Sequence, residues 1–298
     1  MRLWLGLGLT LAACVAAGLW LTAPTTLDDA AFAEREGDPI RGERIFNAGG
    51  CASCHKAPGA EEDARLVLAG GVRFETEFGT FVAPNISPGP KGIGGWSALD
   101  LANAMIHGVS PDGAHYFPVF PYDSYRRASA DDIVDLKAYI DTLPISSAAS
   151  APHELSFPFS IRRGVGLWKL LYLSPDWVLQ EAETDQIARG RELVEGLGHC
   201  SACHTPRTLF GGPDAGQWLA GGPNPDGRGR IPNITPHESA LGGWSEIDIV
   251  TYLTIGLRPD YDAAGGSMVD VIDNLKRLPE DDITAIAAYL RAIPARAK

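Results

Sequence analysis

A chain of 298 residues suggests about two domains rather than one. Its formal charge of −12 argues against nucleic acid as a partner, and a hydrophobic content of 45% is ordinary for a globular protein. The 34 glycines and 22 prolines point to small, loop-rich domains.

The N-terminus opens Met1-Arg2 and then runs apolar from Leu3 to Ala23, broken only by Thr10 and Thr22. About 20 such residues suffice to cross a bilayer as a helix. A secretory signal has a shorter apolar core, of about 7–15 residues. Ala31-Phe32-Ala33 has the form of a cleavage box, but it follows Asp28 and Asp29, far from the apolar core. An uncleaved anchor is therefore favoured over a cleaved signal. Leu11-Ala12-Ala13-Cys14 resembles a lipoprotein box, yet the apolar Val15 to Leu21 after it is an unusual start for a lipidated chain. All three readings of residues 1–33 place the rest of the chain on the outer side of the inner membrane.

Residues 34–148 hold the first of two C-x-x-C-H runs, Cys51-Ala-Ser-Cys54-His55; the second is Cys200-Ser-Ala-Cys203-His204. This is the attachment signature of a c-type haem. Two thiols three residues apart lie on one face of a helical turn and can each form a thioether to a vinyl group. The histidine that follows is then held under the iron as proximal ligand. The rival readings are a zinc site, a thioredoxin-like pair or a structural disulfide. Two copies, each followed directly by His, weigh against them, since a four-cysteine zinc site leaves both histidines without a role. Of five cysteines, only Cys14 lies outside these motifs. None remains for a separate disulfide framework.

The first copy reads as mostly helical. A short helix precedes the motif and a long Gly/Pro-rich loop follows it. A second helix starts at Ser97, an N-cap residue. A last helix runs from Ala130 to Leu143, capped by Ser129 and stopped by Pro144, with Ile133, Leu136, Tyr139, Ile140 and Leu143 on one face. Residues 149–180 are crowded with aromatic and aliphatic side chains, among them Phe157, Phe159, Trp168, Tyr172 and Trp177. Such a stretch is either a clasp across both domains or a docking surface for a partner or membrane.

Residues 181–298 repeat the first copy. Gly42 to Phe46 matches Gly190 to Val194. Leu68-Ala-Gly-Gly71 matches Leu219-Ala-Gly-Gly222, and Pro84-Asn-Ile-Ser-Pro88 matches Pro232-Asn-Ile-Thr-Pro236. Gly94-Gly-Trp-Ser97 matches Gly242-Gly-Trp-Ser245, and Ala138-Tyr-Ile140 with Pro144 matches Ala288-Tyr-Leu290 with Pro294. The offset is 148 residues between Trp96 and Trp244 and 149 between Cys51 and Cys200. Near-constant spacing means two copies of one domain, each with one haem. Ser245 and Pro279 fit the starts of the corresponding helices.

This order of elements resembles the class I cytochrome c fold. The fold expected is therefore all-α: two tandem class I domains, each with one covalent haem c, after an N-terminal transmembrane or signal helix. In that family a Gly and an aromatic of the first helix meet an aromatic of the last. Gly42, Phe46 and Tyr139 fit; so do Gly190 and Tyr289, but Val194 stands in place of the second aromatic. The resemblance also implies a distal Met thioether from the loop before the last helix, which raises the potential. Met268 fits in the second copy. In the first, the 148 offset puts Phe120 there. His115 as distal ligand, an open or water-bearing iron, and Met105 after a loop rearrangement all remain open for that site. If His115 binds, the first haem sits lower in potential and electrons run from the first to the second.

The block Glu195-Gly-Leu-Gly-His-Cys-Ser-Ala-Cys-His-Thr-Pro-Arg207, with Tyr116-Phe-Pro-Val-Phe-Pro-Tyr-Asp-Ser-Tyr125 and Leu155 to Trp168, resembles the cytochrome c subunits of membrane-bound alcohol, gluconate and aldehyde dehydrogenases. Members with three C-x-x-C-H motifs are common there; this chain has two. The resemblance implies a periplasmic, membrane-anchored carrier and no enzyme in its own right. It would relay electrons from a dehydrogenase catalytic subunit to the respiratory chain. The rivals are a free-standing shuttle between a cytochrome bc complex and a terminal oxidase, and a diheme enzyme or sensor with an open first haem.

Overall fold

Twenty residues, nearly all apolar, make the first helix, α1 (Arg2–Leu21). Its window Trp4–Leu21 has a mean hydropathy of 1.8 and no buried residue, so by length and composition it is able to cross a bilayer. The computed structural model describes residues 2–32, 35–224 and 229–297. Met1, and Ala33 of the candidate cleavage box, lie outside them.

The first repeat begins with α2 (Pro39–Ala48). Asp38 caps it by accepting from the amides of Ile40 and Arg41, and Pro39 supplies the preset φ of a first helical position. The motif helix α3 (Cys51–His55) follows at once. Strands β1 (Arg73–Thr76) and β2 (Gly79–Val82) form a hairpin in which Phe74 pairs with Phe81. Helix α4 (Ala98–Ala102) runs into a π turn at Asn103–His107. Then come α5 (Tyr122–Tyr125) and α6 (Ala130–Ile140). Capping boxes Ser97/Asp100 and Ser129/Asp132 start α4 and α6, at the serines the sequence singles out. Helix α6 stops at Ile140, short of Leu143.

Between the repeats, β3 (Glu154–Leu155) adds to the hairpin beside β2, and α7 (Val165–Tyr172) follows. The second repeat holds α8 (Asp185–Arg191), which continues as a π turn at Glu192–Leu197, then α9 (Ser201–His204) and the strand pair β4 (Gly222–Pro223) and β5 (Arg230–Ile231). It closes with α10 (Glu246–Ile255), α11 (Met268–Leu275) and α12 (Glu280–Ala292). Ser245 caps α10 through a capping box with Asp248, while Pro279 stands at the N-cap of α12 rather than inside its first turn. The chain is mainly helical, but these two small sheets depart from the all-helical expectation. The reason for the first is local: Phe74 and Phe81 pair across a turn at Gly79, whose φ of +121° only glycine takes easily.

Each repeat is held by its first and last helices crossing. A Cβ on Gly42 would lie 2.0 Å from the Asp135 carbonyl oxygen of α6. One on Gly190 would lie 2.0 Å from that of Ala285 in α12. Glycine at these two places is thus what lets the backbones touch. The preceding arginines pin the same crossings: Arg41 pairs with Asp135 at 2.7 Å and Arg189 with Asp282 at 2.8 Å. Phe46 meets Tyr139 edge-on at 5.1 Å between ring centres. In the second repeat Val194 is fully buried instead, and the Tyr289 hydroxyl donates to the Glu195 carboxylate while accepting from the Trp218 indole. One apolar core runs through both repeats, from Phe46 and Leu136 to Val194, Trp218 and Tyr289.

Residues 149–180 are a clasp on their inward side. Trp168 packs on Tyr122, the Tyr172 hydroxyl bonds Thr208, and Trp177 lies under the guanidinium groups of Arg127 and Arg191. The amides of Val178 and Leu179 donate to the buried Glu195 carboxylate.

Gly42→Ala and Gly190→Ala should each lower stability by about 2–4 kcal/mol, because a methyl group placed against a backbone carbonyl has no flexible neighbour to displace. Urea unfolding of each variant against the unmodified protein checks this.

Candidate functional site

The two motif helices carry the same local geometry. Gly50, with φ +57°, turns the chain from α2 into α3. In the second copy His199 takes that role with φ +38°. His55 Nδ1 lies 2.8 Å from the Pro84 carbonyl, and His204 Nδ1 lies 2.9 Å from that of Pro232. A ring nitrogen facing a carbonyl must donate, so each Nε2 keeps its lone pair, as a metal ligand requires. Burial also lowers both imidazole pKa values, which keeps the rings neutral.

The thiols sit in surroundings that disfavour the thiolate. Burial pushes Cys51 and Cys200 up to about 12 and Cys54 up to about 11. A reactive redox pair depends on the opposite shift. Among the described residues no three His, Cys, Asp or Glu side chains converge as a metal cage. The donor set is thus two protonated thiols and one neutral imidazole per motif, which suits thioether attachment and proximal ligation.

The repeated loop blocks hold each histidine's partner in place. The amides of Gly70 and Gly221 donate to the carbonyls of His55 and His204, at 2.8 and 2.7 Å. Both glycines have φ +72°, and a Cβ on either would lie within about 2.5 Å of backbone at Pro84 or Ile231. Asn85 and Asn233 each accept from the amide two residues on, at 2.8 Å. Their side-chain amides reach the segment after the last helix, at Ala148 and Arg296. Ser87 and Thr235 hydroxyls accept amides from that same segment, at Ser146 and Arg296. The repeats therefore mark the frame around each histidine. Trp96 and Trp244 are half-buried against the core.

The two motifs abut. Helix α5 of the first repeat meets the second motif, where Ser124 Oγ lies 3.3 Å from Ser201 Oγ. Reciprocally, α11 of the second repeat meets the first motif, where Asn274 Nδ2 donates to Ser53 Oγ at 2.7 Å. The Tyr125 hydroxyl and His199 Nε2 both donate to the Gly49 carbonyl, and their rings pack edge-on at 5.5 Å. Burial first and Cys203 second push the Cys54 thiol up, which puts the two motifs' second cysteines near one another. Sequence reasoning missed these contacts. The available signal was that Ser124 and Asn274 stand 150 residues apart, close to the repeat offset.

Met268, the residue the sequence assigns as second distal ligand, opens α11 and is half-buried against the core. Met105 is buried in the core, as its place on the helix suggests. Phe120 packs among Tyr116, Tyr122 and Tyr125. His115 is 3% exposed, its Nε2 donates to the Thr22 carbonyl at 2.9 Å, and its Nδ1 accepts from Lys169 Nζ at 3.0 Å. Both ring nitrogens thus have protein partners here, and ligation of an iron would require the ring to leave one of them.

A family model for cytochrome c matches residues 40–144. The chain is 56% identical over 291 residues to a diheme cytochrome c-type protein of Cereibacter sphaeroides, and the match covers 97% of each. It is 38% identical to the fructose dehydrogenase cytochrome subunit of Gluconobacter japonicus, over 87% of this chain and 53% of that one. It is 36% identical to the gluconate 2-dehydrogenase cytochrome c subunit of Pantoea cypripedii, over 91% of this chain and 64% of that one. The chain thus spans about half to two thirds of the dehydrogenase subunits' length. It belongs to the diheme c-type cytochromes and carries two covalently bound haem c groups, for which the donor sets at Cys51–His55 and Cys200–His204 are fitted.

Low-temperature EPR of the oxidised protein checks whether His115 stays with its protein partners. The low-spin g values should be the same in the unmodified protein and in His115→Ala. A low-spin signal converted to high spin by the substitution would establish His115 as a ligand.

Proposed function

We propose that this cytochrome is an electron relay at the periplasmic face of the inner membrane, taking single electrons from a dehydrogenase catalytic subunit and handing them to the respiratory chain. The observation that carries this reading is the reciprocal contact of the two motifs. Haem c supplies a one-electron ferric/ferrous couple at each site. Cys51 and Cys54 would hold the first group and Cys200 and Cys203 the second, with His55 and His204 as iron ligands and Met268 as a further ligand of the second. The repeats act as two tandem class I domains, residues 34–148 and 181–298, joined by residues 149–180, with 1–33 as anchor. The thioether cysteines face the domain interface, so exchange between the sites stays inside the chain. The chain itself makes and breaks no substrate bonds.

A second reading, the free-standing shuttle between a cytochrome bc complex and a terminal oxidase, draws support from the full-length match to a protein named only as a diheme cytochrome. The dehydrogenase subunits are matched over only part of their length.

Oxygen uptake by membranes of a strain lacking this chain separates the two. The relay predicts loss of uptake driven by one or more alcohols, sugars, aldehydes or acids, with NADH- and succinate-driven uptake intact. Loss of NADH- and succinate-driven uptake instead would replace the relay with the shuttle.

A further inference from the structure

We infer that the outward face of α7 rests on the outer leaflet of the membrane that α1 crosses, which holds the haem domains in one fixed orientation instead of on a swinging tether. This rests on reading α1 as a span. Leu167, Leu170 and Leu171 lie one turn apart on α7 and are 56%, 59% and 67% exposed. The opposite face of the helix is committed to protein through Trp168, Lys169 and Tyr172. An exposed leucine stripe on a helix whose other face is anchored needs a cover.

Its cover is indicated by what α7 is built onto. Gly166 packs on the end of α1, where a Cβ would lie 2.6 Å from the Thr22 carbonyl oxygen. Arg163 Nε donates to Thr22 Oγ1 at 3.0 Å, and its Nη2 donates to the Leu19 carbonyl. The last carbonyls of a helix have no partner within it, and a guanidinium there satisfies one and complements the helix dipole. His115 closes the junction by donating to the Thr22 carbonyl. Thr22 is buried, while Leu19, Trp20 and Leu21 just before it are exposed. Leu21 and Leu170 line one cavity, with Leu173 and Gly166, so the apolar end of the span continues directly into the apolar face of α7.

Trp20 marks the level at which a span leaves the hydrocarbon, since indole rings concentrate at the membrane interface. The leucine stripe, fixed against that level, is the apolar face of an interfacial helix. A protein partner fits the stripe less well, because protein hot spots favour Trp, Tyr and Arg over Leu.

The test uses the full-length holoprotein in phosphatidylcholine vesicles containing a phosphatidylcholine with an acyl-chain diazirine. Irradiation is followed by peptide mapping. The expected result is lipid adducts on both α1 and residues 165–173, with the 165–173 adducts reduced several-fold in a Leu170→Glu, Leu171→Glu variant while those on α1 persist. Adducts on α1 alone would overturn the inference and leave the span standing. Adducts on neither would overturn both. Adducts on residues 165–173 alone would remove the span and overturn the inference as stated, leaving only an interfacial helix. If, in native membranes, residues 165–173 cross-link to a protein and take no lipid, the face belongs to a partner and the inference fails.

Discussion

Each site depends on one hydrogen bond, from a histidine Nδ1 to a proline carbonyl. The bonds His55 to Pro84 and His204 to Pro232 leave Nε2 as the ring nitrogen that could ligate a metal. They also explain why the loop sequences repeat. A proline carbonyl can be aimed at a ring only if the loop carrying it is fixed at both ends. Gly70 and Gly221 fix one end by folding back onto the histidine's own carbonyl. Asn85, Ser87, Asn233 and Thr235 fix the other by tying the loop to the segment leaving the last helix. That helix in turn is placed by its crossing at Gly42 or Gly190. The whole repeat serves to orient one imidazole.

The reciprocal contact between repeats adds what a single domain lacks. Each motif is touched by the helix preceding the other repeat's last helix, and one apolar core runs through both. A shared core makes the spacing of the two sites a property of the fold, not of a linker. Residues 149–180 reinforce this. Their inward aromatic groups bridge the repeats, and the buried Glu195 carboxylate ties Val178 and Leu179 to Tyr289. These donors, with the buried Arg127 guanidinium 4.0 Å away, replace the water that a carboxylate at 0% exposure has lost.

The motifs, the repeat, the serine caps and the crossing glycines were legible because each is local or periodic. C-x-x-C-H is read within five residues, and Gly42 within one helix of its repeat partner's pattern. The surroundings of His115 are illegible for the opposite reason. Its partners, Thr22 and Lys169, lie 93 and 54 residues away. Position in the distal loop makes it a candidate ligand, while a carbonyl and an ammonium group compete for its ring nitrogens. The contacts of Ser124 and Asn274 are equally hidden, since two different polar residues at matched places carry no motif. The hairpin Arg73–Val82 lies inside a Gly/Pro-rich loop, where Phe74 and Phe81 on either side of Gly79 are its only signal.

The proposed relay requires electrons to pass between the two sites within one chain. Pulse radiolysis of the holoprotein, followed at a wavelength where the two haems differ, resolves this step. A first-order re-equilibration phase should follow the initial reduction, with a rate that does not change over a tenfold dilution. A redistribution phase whose rate falls in proportion to protein concentration would mean that exchange occurs only between molecules, and would contradict it.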